Sequence, residues 1–383
     1  MVMAHADRGT LAAMDEEVRV QASALANLPG VVTPVHLLPD AHPGFVIPHG
    51  SVVGFSMPEA RVQLSGVSDF DHAFGLRVLL SSLSQSDLLP RLGRVHAGLQ
   101  TLAAFVPQLP DDCSPVLIGG AHWAIEQGWG CFEDLAVCES PALLSHSDLE
   151  PSIVATVRRW QHRLRLPALG NQQLEIHVVD ELLDPDCARA FGLEPEQVLV
   201  LVHAGSAGLG PQLARALASL ADHQLWLPLA SDLGQRALRY QRMALQCASA
   251  FRQALTQQVR ELFWSLWPEA SLSVLCDFPH NSFELEPHLL GHDSVNLWVQ
   301  RCGAVRAFGP SHGDHPATFR KLGTPVSLGG SIGSPTELVC GVDSAEQLTL
   351  SSSVWGMGAA EVAEHAGLCR RVARLRPVLS VQG

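Results

Sequence analysis

The stretch V-L-V-L-V-H-A-G-S-A-G-L-G, residues 198–210, sets the reading of the fold. Five apolar residues with strong β preference run up to His203, and a Gly/Ser turn then hands the chain to a second apolar segment. An apolar run of this length bounded by turn residues is a buried strand, and the turn exposes backbone N–H groups suited to a phosphate. Upstream, L-E-I-H-V-V at 174–179 reads as a second strand, joined to the first through a short helix. Downstream, residues 233–266 form a long segment with few breakers and are expected to be helical. From residue 270 onward, short β-like runs alternate with turns: S-L-S-V-L-C-D-F, S-V-N-L-W-V-Q, A-V-R-A-F, P-V-S-L-G-G, E-L-V-C-G-V and L-T-L-S-S-S-V. Strands and helices are mixed without a βαβ repeat, which reads as an α+β fold, and without a low-complexity linker, so one continuous domain over 1–383 is expected.

The N-terminal half carries the same mixture. Residues 12–27 read as a helix that stops at A-N-L-P-G, and V-V-T-P-V-H-L-L then forms a strand that enters the Pro/Gly-dense loop L-P-D-A-H-P-G-F-V-I-P-H-G. S-V-V-G-F-S-M and G-L-R-V-L-L-S-S-L are further strands, and residues 83–106, 121–136 and 155–165 are expected to be mostly helical.

Composition limits the function classes. The 383 residues are 47% hydrophobic and 16% charged, enough apolar material for a core and too little charge for disorder. The sequence has no apolar run of 18 residues, and the first ten residues, with an early Asp7, lack a signal-peptide core, so a cytoplasmic protein without a membrane span is expected. Nine scattered cysteines with no C-x-x-C pair argue against a disulfide framework and a zinc finger. A formal net charge of −13 disfavours indiscriminate nucleic-acid binding and DNA specificity, though a local basic groove remains compatible with it. Lys321 is the single lysine among 25 basic residues.

Several polar constellations stand at strand ends. Asp40 and His42 lie between prolines in the loop after the first long strand. Asp71 and His72 lie in G-V-S-D-F-D-H-A-F-G, and His203 ends the strand quoted above. His280 and Asn281, in C-D-F-P-H-N-S-F-E-L-E, are expected at a strand-to-helix turn. Each has an ordinary structural explanation, such as a capped turn or a satisfied core histidine. The basic run at 158–165 reads as a solvated helix face that could also meet RNA phosphates.

Taken together and in order, eight segments resemble the RtcB family of RNA ligases. They are L-P-D-A-H-P-G-F-V-I-P-H-G-S-V-V-G (38–54), G-V-S-D-F-D-H-A-F-G-L-R-V-L-L (66–80), H-W-A-I-E-Q-G-W-G-C-F-E-D-L (122–135), L-G-N-Q-Q-L-E-I-H-V-V-D-E-L-L-D (169–184), H-A-G-S-A-G-L-G (203–210), G-A-V-R-A-F-G-P (303–310), P-V-S-L-G-G-S-I-G-S (325–334) and R-L-R-P-V-L-S-V-Q-G (374–383). The resemblance implies stacked β-sheets flanked by helices around a central cleft. It also implies an activity joining an RNA 3′-phosphate or 2′,3′-cyclic phosphate to a 5′-hydroxyl in tRNA splicing or RNA repair. In the family a histidine attacks GTP and carries GMP, while two Mn²⁺ ions bridged by a Cys neutralise the phosphates.

Carried over residue by residue, the resemblance keeps Asp71, His203 and His280 as metal ligands. It keeps Asn171, Asn281, Ser331 and Gly333 at nucleotide-site positions. The chemistry-bearing positions depart from the pattern. Phe74 stands for the bridging Cys, Gln172 for a ligand His, Ala207 for the Arg of the glycine loop, Cys302 for a Lys, and Gln382 for the terminal Lys. Trp355, in S-S-S-V-W-G-M-G-A-A, stands where the family has its nucleophilic His, and residues 343–364 contain no histidine. Its indole is expected to fill part of the space a GMP phosphate would take. An avoidance of lysine would put Arg at a required cation, but Cys302 and Gln382 remove the charge altogether. The implied reading is a family member deficient in ligation, a pseudoenzyme binding RNA ends, a nucleotide or a protein partner. The surviving cluster would hold at most one divalent ion, manganese by resemblance. Two readings stand beside it: a divergent GTP- and Mn²⁺-dependent ligase with another guanylylated residue, and a phosphodiesterase using a residual metal.

Overall fold

A computed structural model describes residues 1–64, 73–105, 107, 109–139, 144–164, 173–222, 224–290, 293–312, 316–329, 332–343 and 359–382. Two β-sheets dominate. A five-stranded sheet runs in the spatial order Val2–Ala4, Val31–His42, His49–Phe55, Asp293–Cys302, Asn281–Leu290. A seven-stranded sheet runs Pro325–Gly329, Thr336–Gly341, Cys369–Gln382, Gln173–Leu182, Gln197–Ala204, Gly75–Ser84, Leu272–Pro279.

Alternation along the strands builds the layers. Val78, Leu201 and Phe278 of the larger sheet share a core with Leu38, Val52 and Val299 of the smaller one, so the sheets stack face to face. The neighbours one residue on, Leu79 and Val202, point the other way and pack on Leu99, Val259 and Phe263 of the helices Leu92–Ala103 and Asp232–Leu266. On the smaller sheet Val35, Val53 and Phe55 likewise turn outward onto Trp160, Met243 and Phe251. Each fully buried Leu, Val or Phe contributes roughly 1.5–3 kcal/mol, and the period-2 pattern fixes the register because a one-residue slip would expose the set. The 35-residue helix Asp232–Leu266 is started by Ser231, whose hydroxyl accepts from the Gly234 N–H at 3.1 Å, and serves both helical layers. Among the described residues no helix is long and apolar enough to cross a membrane.

The architecture is the stacked, helix-flanked α+β arrangement expected, with local corrections. His280–Asn281 joins two strands, not a strand to a helix. Asn281–Leu290 pairs antiparallel with Asp293–Cys302, Asn281 opposite Cys302. The acidic residues that suggest a helix start are instead partners of arginines: Glu286 meets Arg301 at 2.6 Å and Glu284 meets Arg242 at 3.4 Å. A-V-R-A-F joins neither sheet as a strand, although Ala304, Val305 and Ala307 are fully buried. Residues 83–106 split into Gln85–Leu88 and Leu92–Ala103, and 121–136 into Ser114–Glu126 and Phe132–Leu135, the second break spanning Gly128 and Gly130 at positive φ. L-T-L-S-S-S-V lies outside the described residues.

Candidate functional site

Three strands of the larger sheet end together and carry the candidate residues. Gly75 pairs with Ala204 on one side and with Pro279 on the other. Phe74 and His280 lie just beyond these pairings and His203, opposite Leu76, one residue inside them, so the three gather at one sheet end. The backbone holds them there: the His280 N–H donates to the Phe74 carbonyl at 3.4 Å, and the Ala304 N–H to the His280 carbonyl at 2.8 Å.

His203 and His280 meet through their Nε2 atoms at 3.1 Å, with rings nearly parallel and centroids 5.4 Å apart. Phe74 stacks on the other side of His203 at 4.9 Å. Burial pushes the His203 imidazole down to about 4, helped by the Arg252 guanidinium. Burial together with His203, His49 and Arg252 holds His280 well below the ordinary histidine range. Both rings are neutral at neutral pH. Asn281 fixes the tautomer of one of them. Its Oδ1 accepts from the Gly303 N–H at 2.8 Å, so its amide nitrogen faces His280 Nδ1 at 3.2 Å and donates to it. His280 then carries its proton on Nε2 and donates it to His203 Nε2. This assignment comes from the hydrogen-bond network.

Beneath the imidazoles lies a buried ionic network that sequence reading did not single out. Arg252 donates through Nε to both Asp277 oxygens, at 2.9 and 3.2 Å, and through Nη1 to the Ala204 carbonyl at 3.2 Å. Arg77 reaches the same carboxylate at 2.7 Å and Gln253 at 2.6 Å. Gln253 and Arg260 both hold Asp134, at 2.7 Å and at 2.7–2.8 Å. A Cβ on Gly75 would stand 2.9 Å from the Arg252 guanidinium, so the residue after Phe74 is a glycine by necessity. Arg252 thus ties together the strand ends that carry His203 and His280, and Arg77 joins the strand of Phe74 to the same carboxylate. The signal was present: Arg77 and Asp277 are opposite charges set alone inside apolar strands, the mark of a buried pair.

The remaining candidates divide clearly. Asp71, His72, Asn171, Gln172, Ser331 and Trp355 lie outside the described residues. Gly333 is exposed, and its N–H is donated to Glu175 Oε1 at 2.6 Å. Ala207 stands at φ +49 in the glycine loop, 7% exposed, with its carbonyl accepting from Trp160 Nε1 at 3.0 Å. Gln382 sits at the end of the strand Cys369–Gln382, opposite Gln173. Cys302 touches His49, Sγ to Nδ1 3.6 Å, and His49 stacks on His42 at 5.1 Å. His42 and His49 thus adjoin the His203–His280 pair through His49. Sequence reading did not single out His49, although it lies in the family-like segment 38–54.

Two neutral imidazole nitrogens 3.1 Å apart fit two neighbouring positions on one first-row divalent ion. A ligating His280 would have to release the Nε2 proton that Asn281 now places there. A bridged pair of ions does not fit, because the ring stacked on His203 is Phe74, which offers no donor. Among the described residues no group of three or more His, Cys, Asp or Glu is arranged to hold a metal.

Comparison with known proteins agrees with the geometry. The family model described as "tRNA-splicing ligase RtcB" matches residues 21–361. The chain is 31% identical over 374 residues to a tRNA-splicing ligase RtcB of Archaeoglobus fulgidus, covering 90% of this chain and 76% of the relative. It is 30% identical over 374 residues to the protein of the same name from Methanococcus maripaludis, covering 91% and 77%. It is 32% identical over 340 residues to an RNA-splicing ligase RtcB of Mycobacterium bovis, covering 83% and 78%.

Proposed function

The chain belongs to the RtcB family, and from that premise we propose that it binds RNA ends without ligating them. The observation that carries this reading is the Phe74 ring stacked on His203 at 4.9 Å, in the place where the resemblance calls for a bridging thiolate. A phenyl ring beside two neutral imidazoles leaves no anionic bridge for a second metal ion. The replacement of the nucleophile position by Trp355 points the same way. Removing a covalent nucleophile costs on the order of a million-fold in rate in a well-measured hydrolase.

His203 and His280, joined by Asp71, would hold a single Mn²⁺. That ion would neutralise the phosphate of a bound RNA end. The nucleotide-site positions Asn281 and Gly333 have their described hydrogen bonds inside the protein, to His280 and Gly303 and to Glu175, which weakens the case for GTP. The family match over residues 21–361 supports reading the chain as one domain. A cytoplasmic location is part of the same proposal.

A second reading, a phosphodiesterase working through a residual metal, is favoured by the convergence of the two Nε2 atoms. The deciding experiment is incubation with Mn²⁺ and α-labelled GTP followed by denaturing electrophoresis, beside an active family member. No labelled band is expected. A labelled band overturns the ligation-deficient reading and supports a divergent ligase. Metal-dependent hydrolysis of a 2′,3′-cyclic phosphate without GTP supports the second reading.

A further inference from the structure

Phe45 is 62% exposed, although the residues beside it are anchored: Ile47 is 2% exposed and packs in the core with Val35 and Val53. The loop that presents it is clamped. The Gln21 side chain donates to the Gly44 carbonyl at 2.8 Å and accepts from the Gly44 N–H at 3.1 Å. Ser51 Oγ donates to the Pro48 carbonyl at 2.6 Å. Gly44 has no room for a side chain, since a Cβ would stand 1.9 Å from the Ile47 carbonyl oxygen. The phenyl ring is therefore held out to solvent by a backbone that is already ordered.

Two further rings flank it in sequence, at the two ends of the same loop. His42 and His49 stack at 5.1 Å with planes 10° apart, His42 exposed and His49 half-buried. His49 touches Cys302, which stands opposite Asn281, the neighbour of His280. The loop thus adjoins the strand end that carries the imidazole pair.

We propose that Phe45, with the His42–His49 stack, is a platform on which an unpaired base at the end of a single-stranded RNA stacks. This rests on the RNA-end reading above and names how the strand would be held. Base–aromatic stacking is sequence-tolerant because every base has a π face, which suits a strand end better than a free mononucleotide read by its edges. It also suits a chain of net charge −13, where phosphate contacts alone meet overall repulsion. A pre-ordered ring loses little further entropy when it binds.

The test is direct binding of the full chain to a short single-stranded RNA with a 3′-phosphate and 2-aminopurine as its last base. Wild-type protein is expected to quench the 2-aminopurine and raise the anisotropy of the strand. Phe45→Ala is expected to weaken binding about ten-fold and to lose the quenching. Phe45→Trp is expected to keep both, and a blunt duplex or free GTP to be insensitive to either change. Because Phe45 is exposed, all three proteins should melt alike. Equal affinity and quenching in wild type and Phe45→Ala overturns the platform and leaves the RNA-end reading standing. Failure of the wild type to bind the strand overturns both. A variant that loses self-association but keeps RNA binding overturns the platform and makes this loop a protein contact.

Discussion

The two clusters joined by Arg252 obey opposite rules. Below the sheet end, Arg77, Arg252, Arg260, Asp134 and Asp277 are all at most 5% exposed, and each charge is met by an opposite one. Above it, His203 and His280 are buried without a net charge and stack on each other, and His203 stacks on a phenyl ring. A buried ion network cannot lose one member cheaply, because the charge left behind has no water to solvate it. A neutral, aromatic cluster can change members for the cost of packing alone. The network ties the strand ends whatever those strand ends do, so the fold can persist while the chemistry above it changes.

The largest effect should come from breaking the network. Asp277→Ala leaves two buried guanidinium groups without their shared carboxylate, and a loss of about 3–5 kcal/mol is expected in denaturant unfolding. His203→Ala, by contrast, removes a stacked ring and a neutral hydrogen bond and should cost less, about 1–3 kcal/mol. Equal losses would contradict the contrast.

Acid separates the two clusters by window. His203 has a folded value of about 4, below the usual 6.5, so the unfolded chain takes up its proton first. Its neutral burial therefore destabilises the fold progressively as pH falls from about 6.5 to 4, by up to about 3 kcal/mol. Burial alone would raise Asp134, but Arg260 and Gln253 override it and hold it at about 2. Its contribution is complete above about pH 4 and is lost between about 4 and 2. In unfolding measured against pH, His203→Gln should make the upper window shallower, His280 still contributing to it, and Asp134→Asn the lower one. A single window for both variants would merge what the structure separates.

Restoring the missing donor sharpens the comparison from the other side. Phe74→Cys puts a thiol beside His203, and the affinity for Co²⁺ should rise more than about ten-fold, with a thiolate-to-metal absorption band. No change in Co²⁺ affinity would mean that the imidazole pair is closed to metal whatever stands at this position. The smallest effect is expected far from both clusters. Arg374 and Glu181 pair at 2.9 Å but are 40% and 52% exposed, and Arg374→Gln should move stability by less than about 1 kcal/mol.

Much of the fold was readable because burial repeats along the chain. The apolar run 198–202 becomes the strand Gln197–Ala204, and the segment 233–266 becomes the helix Asp232–Leu266 with one residue's difference. The His280–Asn281 turn was misread for a definite reason. Acidic residues after a turn look like a helix start when their partners, Arg301 and Arg242, are distant in sequence. At the site, the resemblance singled out His203, His280, Asn281 and Phe74, which the structure brings together. Their meeting was not legible, because no pattern within one strand states which strand end lies beside it.

The sequence by itself determined the α+β class and the family, since these rest on residue identity and local period. Only the tertiary structure decided that Arg252 and Arg77, sharing Asp277, bind three strand ends at once. It also decided that Asn281 sets the proton of His280 and that Phe45 is held out to solvent by Gln21. Each of those depends on atoms brought together across the chain, such as the 3.1 Å between imidazoles 77 residues apart. Contacts of that kind are fixed by how the sheets stack and register, and by nothing in the neighbouring sequence.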